Sequence, residues 1–291
     1  MRPLRLISFA GLLACFAFAA VPDGLLAQSR GRIPPNLRDP ARLDEAEGAR
    51  VLEAFRRLPV AGDFVYAIEL VHEPRRAPTR VYEGFFSGGW HDGLRNRLDL
   101  RPADEDAGPQ RFLQWNGADP RLWTYSPSHD ATSEARSADA AALHESVLPG
   151  LALTPFDLQM PFLYWPDYAY EGSGRLKGRG VHHFLLYPPS EDPRYTGIGA
   201  VRVAIEENFN VAMRVETLDE AGEVTKRFEV QAVKKVGDQW IVRRIDFMDR
   251  VSGDRTRLVV TAAQVEPALP PSLLTPDGLA QPLPEVPLEP L

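Results

Sequence analysis

A mainly β protein, built on one meandering antiparallel sheet with a few helices, is the fold class the sequence predicts. Three observations carry it. Apolar and polar residues alternate with period two from shortly after Pro59 through most of the remaining chain, as in Phe64, Tyr66, Ile68 and Leu70. Turn-forming clusters such as Glu220-Ala221-Gly222, Val236-Gly237-Asp238 and Ser252-Gly253-Asp254 separate the alternating runs at hairpin spacing. Only residues 41–57 carry a long helical stripe, so an alternating β-α design has too few helices. Composition narrows the function classes. The 291 residues carry 33 Lys and Arg against 40 Asp and Glu, a net charge of −7 that offers no footprint for nucleic acid. A single cysteine, Cys15, excludes internal disulfides and thiolate metal clusters.

The elements follow in order. Arg2 and Arg5, an apolar run from Leu6 to Val21 and small residues at Ala19 and Ala27 have the layout of a secretory signal peptide over residues 1–27, which places the protein in the periplasm. The alternative is a lipoprotein signal, in which Leu12-Leu13-Ala14-Cys15 is a lipobox and Cys15 is acylated at the outer membrane. Residues 28–40 read as an extended leader. The helix at 41–57 has Asp44, Glu45 and Glu47 early and Arg56-Arg57 late, which complements its dipole. About eleven strands are expected, at 64–71, 79–90, 93–101, 110–116, 121–126, 175–187, 200–209, 211–218, 223–236, 239–249 and 255–265. Between the two strand sets, residues 134–148 have Ala-rich helical character, and Thr154-Pro155-Phe156-Asp157 opens a second short helix with proline in its first turn. One domain therefore spans 41–266. Eight of the 27 prolines fall in residues 267–291, a tail expected to be extended and peripheral.

Such a sheet has more apolar face than its helices can cover. A helix about 10–12 Å across spans two or three strands set about 4.8 Å apart, so three helices roof roughly eight. The uncovered remainder is either curled shut or left as an apolar hollow suited to a greasy ligand.

The second half carries a recognisable order of motifs. Asp157-Leu158, Tyr168-Ala169-Tyr170-Glu171-Gly172, Gly178-Arg179-Gly180 and Leu185-Leu186-Tyr187-Pro188-Pro189 are followed by Val201-Arg202-Val203-Ala204-Ile205-Glu206, Met213-Arg214-Val215-Glu216 and Trp240-Ile241-Val242. From about residue 120 to 280 the chain resembles the outer-membrane lipoprotein-sorting proteins, relatives of the periplasmic lipoprotein carrier LolA. The resemblance implies an open, strongly curved β half-barrel with helices over its concave face and a hydrophobic cavity for lipid or lipoprotein acyl chains. An inner-membrane transporter is the expected loading partner, and neither a cofactor nor a metal is expected. One departure is visible: Ser128-His129-Asp130 stands after Trp123-Thr124-Tyr125-Ser126-Pro127, where the family carries a basic pair. No role of that pair is carried over.

The candidate ligand-binding residues are Phe156, Leu158, Met160, Phe162, Leu163 and Trp165, a dense aromatic and flexible run where the family's roof would be. Tyr66, Trp115 and Phe228 are added as cavity aromatics, and Arg243 as an inward arginine holding the roof, because Arg243-Arg244 interrupts an apolar strand. His182-His183 face opposite sides of a strand and cannot converge on one ion. No Gly-x-Ser-x-Gly elbow, His-Glu-x-x-His or phosphate loop is present, so no catalytic residue is assigned. The rival readings are a membrane-anchored interaction platform and a secreted hydrolase.

Overall fold

The computed structural model describes residues 43–57, 62–90, 93–102, 108–117, 119–127, 134–208 and 210–291. The signal-peptide, leader and Cys15 readings lie outside them.

Helix α1 (Glu45–Arg56) starts at Asp44, whose carboxylate accepts the Glu47 N–H at 2.7 Å while the Glu47 carboxylate accepts the Asp44 N–H at 3.0 Å. It buries Gly48, Leu52 and Phe55. A Cβ at Gly48 would lie 2.6 Å from the Tyr170 ring, so glycine is what lets the helix lie so close to the sheet.

Two meanders make the sheet. The first is β1 (Phe64–Glu73), β2 (Arg80–Trp90), β3 (Leu94–Leu100), β4 (Gln110–Trp115), β5 (Arg121–Tyr125) and β6 (Arg136–Ser137). The second is β7 (Asp167–Leu176), β8 (Arg179–Tyr187), β9 (Ala200–Glu206), β10 (Val211–Leu218), β11 (Val224–Val236), β12 (Gln239–Asp249) and β13 (Arg255–Val265). The first and last long strands join them, from Phe64 opposite Val265 to Glu73 opposite Arg255. The short β14 (Glu289–Pro290) pairs with β13. The result is one open antiparallel sheet of fourteen strands whose edges are β6 and β7. Irregular registers at Ala67/Ile68, Tyr170/Gly172, Ala212/Arg214 and Val230/Ala232 add twist, which curves it.

Register defines the two faces. Tyr66, Phe86, Leu98 and Phe112 stand in one inner row, and Phe184, Val203, Val215, Phe228 and Phe247 in another. Both rows belong to one buried cluster that also holds Leu52 and Phe55 of α1. On the outer face the row is Val65, Ser87, Arg97, Leu113 and Trp123.

Three sequence expectations are corrected. The strands number fourteen among the described residues, not eleven, because two are only two residues long and because β7 fills residues 167–174, where no strand is expected from the sequence. Its Gly172, Ser173 and Gly174 have low strand propensity, yet hairpin pairing with β8 holds it as an edge strand. Residues 134–148 do not form the expected helix. They supply β6 and a single 3-10 turn, Ala141–Leu143, because pairing of Ser137 with Trp123 overrides the weak preference of the alanines. The proline-rich tail is not peripheral. Leu269 and Leu273 pack on Val65, Leu274 and Leu279 pack on Leu113, and all four leucines are buried. The guanidinium of Arg97, fully buried and paired with Asp99 at 2.8 Å, donates to the carbonyls of Gly278 at 3.1 Å and of Gln281. Beside it Arg111 pairs with Asp99 at 2.9 Å and donates to the Leu279 carbonyl at 3.2 Å.

Candidate functional site

The segment 154–165 lies against the inner face because its own chemistry shapes it. Thr154 caps the five-residue helix α2 (Pro155–Gln159): the Asp157 carboxylate accepts the Thr154 N–H at 2.8 Å and the Thr154 hydroxyl at 2.7 Å. Met160 then takes the left-handed conformation, φ 47°, and Pro161 opens a 3-10 turn, Pro161–Tyr164, that reverses the chain. Every side chain from Pro155 to Leu163 is buried. Two polar latches hold the segment down. The Lys226 ammonium of β11 reaches Asp157 at 2.5 Å, and Arg56 of α1 donates to the carbonyls of Leu163 and, at 2.9 Å, of Trp165.

Beneath the latches the contacts are aromatic. Phe156 and Phe162 have ring centroids 5.5 Å apart, and Trp165 meets the ring of Tyr195 edge-on at 4.9 Å. Burial pushes the hydroxyl of Tyr195 up, partly offset by Trp165 and Arg194, and pushes that of Tyr66 far above its ordinary value.

The structure brings Phe156, Leu158, Met160, Phe162, Leu163 and Trp165 together with Tyr66 and Phe228 in the single inner cluster. Trp115 and Arg243 are not there. Trp115 stands on the outer face, its ring tilted against that of Trp123 with centroids 4.7 Å apart, and its indole N–H is donated to the Leu274 carbonyl at 3.3 Å under the tail. The reason is parity: Gln114, not Trp115, shares the inner row with Asn96. Arg243 is exposed and donates to the Leu291 carbonyl at 3.0 Å. A register break opposite Val230–Val233 relieves the strand of placing either arginine inside, and Arg244 pairs with Asp246 at 3.1 Å.

An apolar hollow of about 140 Å³ opens where Val211, Met213, Val230, Val233 and Ile241 meet Trp240. Arg179 and Glu206, paired at 3.5 Å, stand at its side. A buried apolar cavity near this size accepts a benzene-sized group, whereas pockets for whole ligands run to about 300–1,000 Å³. The hollow therefore seats only a few carbons. Sequence reading missed these residues because they come from five strands and an irregular pairing. Alternation alone marks each as core.

The neighbouring basic stretch is compensated. Lys177 lies 2.5 Å from Glu229 and Arg202 2.7 Å from Glu171, part of an ion-pair ladder along the outer face that keeps it wettable. His182 faces inward with Nδ1 3.0 Å from the Tyr170 hydroxyl, while His183 faces out. Burial lowers the pKa of both, against the pull of Glu207 on His182 and of Glu171 on His183. Among the described residues no cluster of His, Cys, Asp and Glu could hold a metal ion.

Comparison with solved structures places the fold. A DUF1329 family protein from Desulfovibrio piger superposes with a TM-score of 0.69 at 14 % identity, over 83 % of this chain and 100 % of its own. A domain described as outer membrane lipoprotein-sorting, from Vibrio parahaemolyticus, gives 0.65 at 14 % identity over 79 % and 96 %. A LolA superfamily protein from Nitrosomonas europaea gives 0.58 at 15 % identity over 80 % and 98 %. No curated protein matches the chain. The resemblance read from the sequence thus holds as a shared fold. A family model described as "Uncharacterized protein" matches residues 100–281, more than half of the chain, and the chain belongs to that family.

Proposed function

We propose that the protein is a periplasmic carrier that holds the acyl chains of a lipid or lipoprotein on the inner face of its sheet and serves sorting or transport toward the outer membrane. The carrying observation is the largely apolar inner face, which ends in an open hollow at Met213 and Val230 and is covered in part by a short segment with two polar latches. A rigid core would fill that hollow; a carrier needs it as an entry point. The fold of the lipoprotein-sorting domain and of the LolA superfamily protein supports the reading, as does the export signal read in residues 1–27. No helix among the described residues is long and apolar enough to cross a membrane.

Displacement of an environment-sensitive hydrocarbon probe from the purified protein tests this. Long-chain lipids are expected to compete, and Met213→Trp, which fills the hollow, is expected to weaken the probe about ten-fold or more. A protein that neither binds the probe nor releases it to any lipid is not a carrier.

A further inference from the structure

Two uncharged amide side chains stand side by side on the inner face. The cross-strand row there runs Phe64, Gly88, Asn96, Gln114 and Leu122. Asn96 and Gln114 are both fully buried. Neither amide atom of Asn96, nor Oε1 of Gln114, has a hydrogen-bond partner among the described residues, and the same is true of both amide atoms of Asn116 and of Oε1 of Gln159.

These four amides are neighbours. Gln114 Nε2 donates to the Pro155 carbonyl at 3.3 Å, which ties the row to α2. Gln159, on the same helix, donates to the carbonyls of Arg121 at 2.8 Å and Trp115 at 3.3 Å. The Asn116 N–H donates to the Leu94 carbonyl at 3.0 Å, which extends the ladder one position past Trp115. A Cβ at Gly88 would lie 2.8 Å from Asn96 Oδ1, so the absent side chain makes the place for the amide.

Core packing alone does not select this arrangement. A buried amide without a partner is worse than an apolar side chain of its size, and the adjacent inner positions are Leu98 and Phe112. The amides present donors and acceptors together and carry no charge. No side chain in the row is ionised, so a carboxylate, phosphate or ammonium buried there would lack a counter-charge. Register also places the row at the end of the sheet where β9 ends and β10 and β12 begin, which is the end that holds the hollow.

We propose that Asn96, Gln114, Asn116 and Gln159 form a subsite for the neutral head of the ligand, the ester and hydroxyl groups of an acylglycerol, with its chain directed along the inner face to the hollow. The inference rests on the carrier reading and specifies its ligand class. Competition for the hydrocarbon probe on the purified protein separates the two. 1-Monooleoylglycerol is expected to compete about ten-fold better than oleate. In Asn96→Leu/Gln114→Leu that preference collapses, while 1-octadecene competes as before and the melting temperature is unchanged or higher. Oleate competing as well as the monoacylglycerol, or a preference that survives both substitutions, overturns the subsite and leaves the carrier reading standing. Displacement by none of the three overturns both. Should the double variant not fold, Gln159→Met is expected to reduce the preference on its own, and its retention there counts against the subsite.

Discussion

The ammonium of Lys226 lies 2.5 Å from an Asp157 carboxylate that is 4 % exposed, so removing one partner leaves the other charge buried. Lys226→Met is expected to cost about 2–4 kcal/mol in urea unfolding. Adding Asp157→Asn, which keeps the Thr154 cap, should recover most of that loss. The two histidines supply a pH dependence. Their native pKa values lie below the ordinary 6.5, so the unfolded chain binds more protons once the pH falls below that value. Stability is complete above 6.5 and declines as the pH drops through it. Urea midpoints at pH 7.5 and 5.5 should differ in that direction, and His182→Gln/His183→Gln should narrow the gap. At this scale the dense run 156–165 was legible because seven apolar or aromatic side chains fall within ten residues. The Lys226–Asp157 pair and the four amides were not, since nothing in the sequence says which strand lies under α2. Trp115 was misplaced for a related reason. β4 is apolar at both parities, Phe112 and Leu113, because both of its faces are covered, and parity then cannot choose the inner one.

Among the elements, segment 154–165 is the one that the carrier reading requires to move. It has no long helix, it turns on a left-handed Met160, and Arg56 holds its end through backbone carbonyls alone. Arg56→Ala should accelerate amide hydrogen exchange in residues 155–165 while leaving the strands β9 to β12 as protected as before. Equal acceleration throughout would mean that Arg56 supports the whole fold and not this segment. The short helix was readable from Thr154-Pro155 and Asp157, a local capping pattern. The 134–148 expectation failed because an alanine-rich segment states a preference too weak to resist an edge pairing with β5.

For the molecule as a whole, the tail is part of the sheet's second covering. Four buried leucines at about 1.5–3 kcal/mol each amount to a large share of the 5–15 kcal/mol by which a domain is stable. Truncation after residue 266 would also strip Arg97 of the carbonyls that satisfy it. Such a chain is expected to be insoluble or to lose its cooperative unfolding, measured by soluble yield and size-exclusion chromatography, whereas a chain cut after residue 286 should fold. The overall architecture was legible because period-two alternation persists through both meanders, whereas the counting of helices against strands offered only curling or a hollow and did not foresee the cover that the tail adds. What supplied that cover on the outer face was hidden in a proline-rich composition that reads as peripheral. The central claim is that the inner face holds an acyl chain. Extraction of the purified, bacterially exported protein with organic solvent, followed by mass spectrometry, tests it most directly: co-purified acyl lipid, depleted in Met213→Trp, is the predicted result, and a lipid-free extract from a folded protein that also ignores added lipid would contradict it.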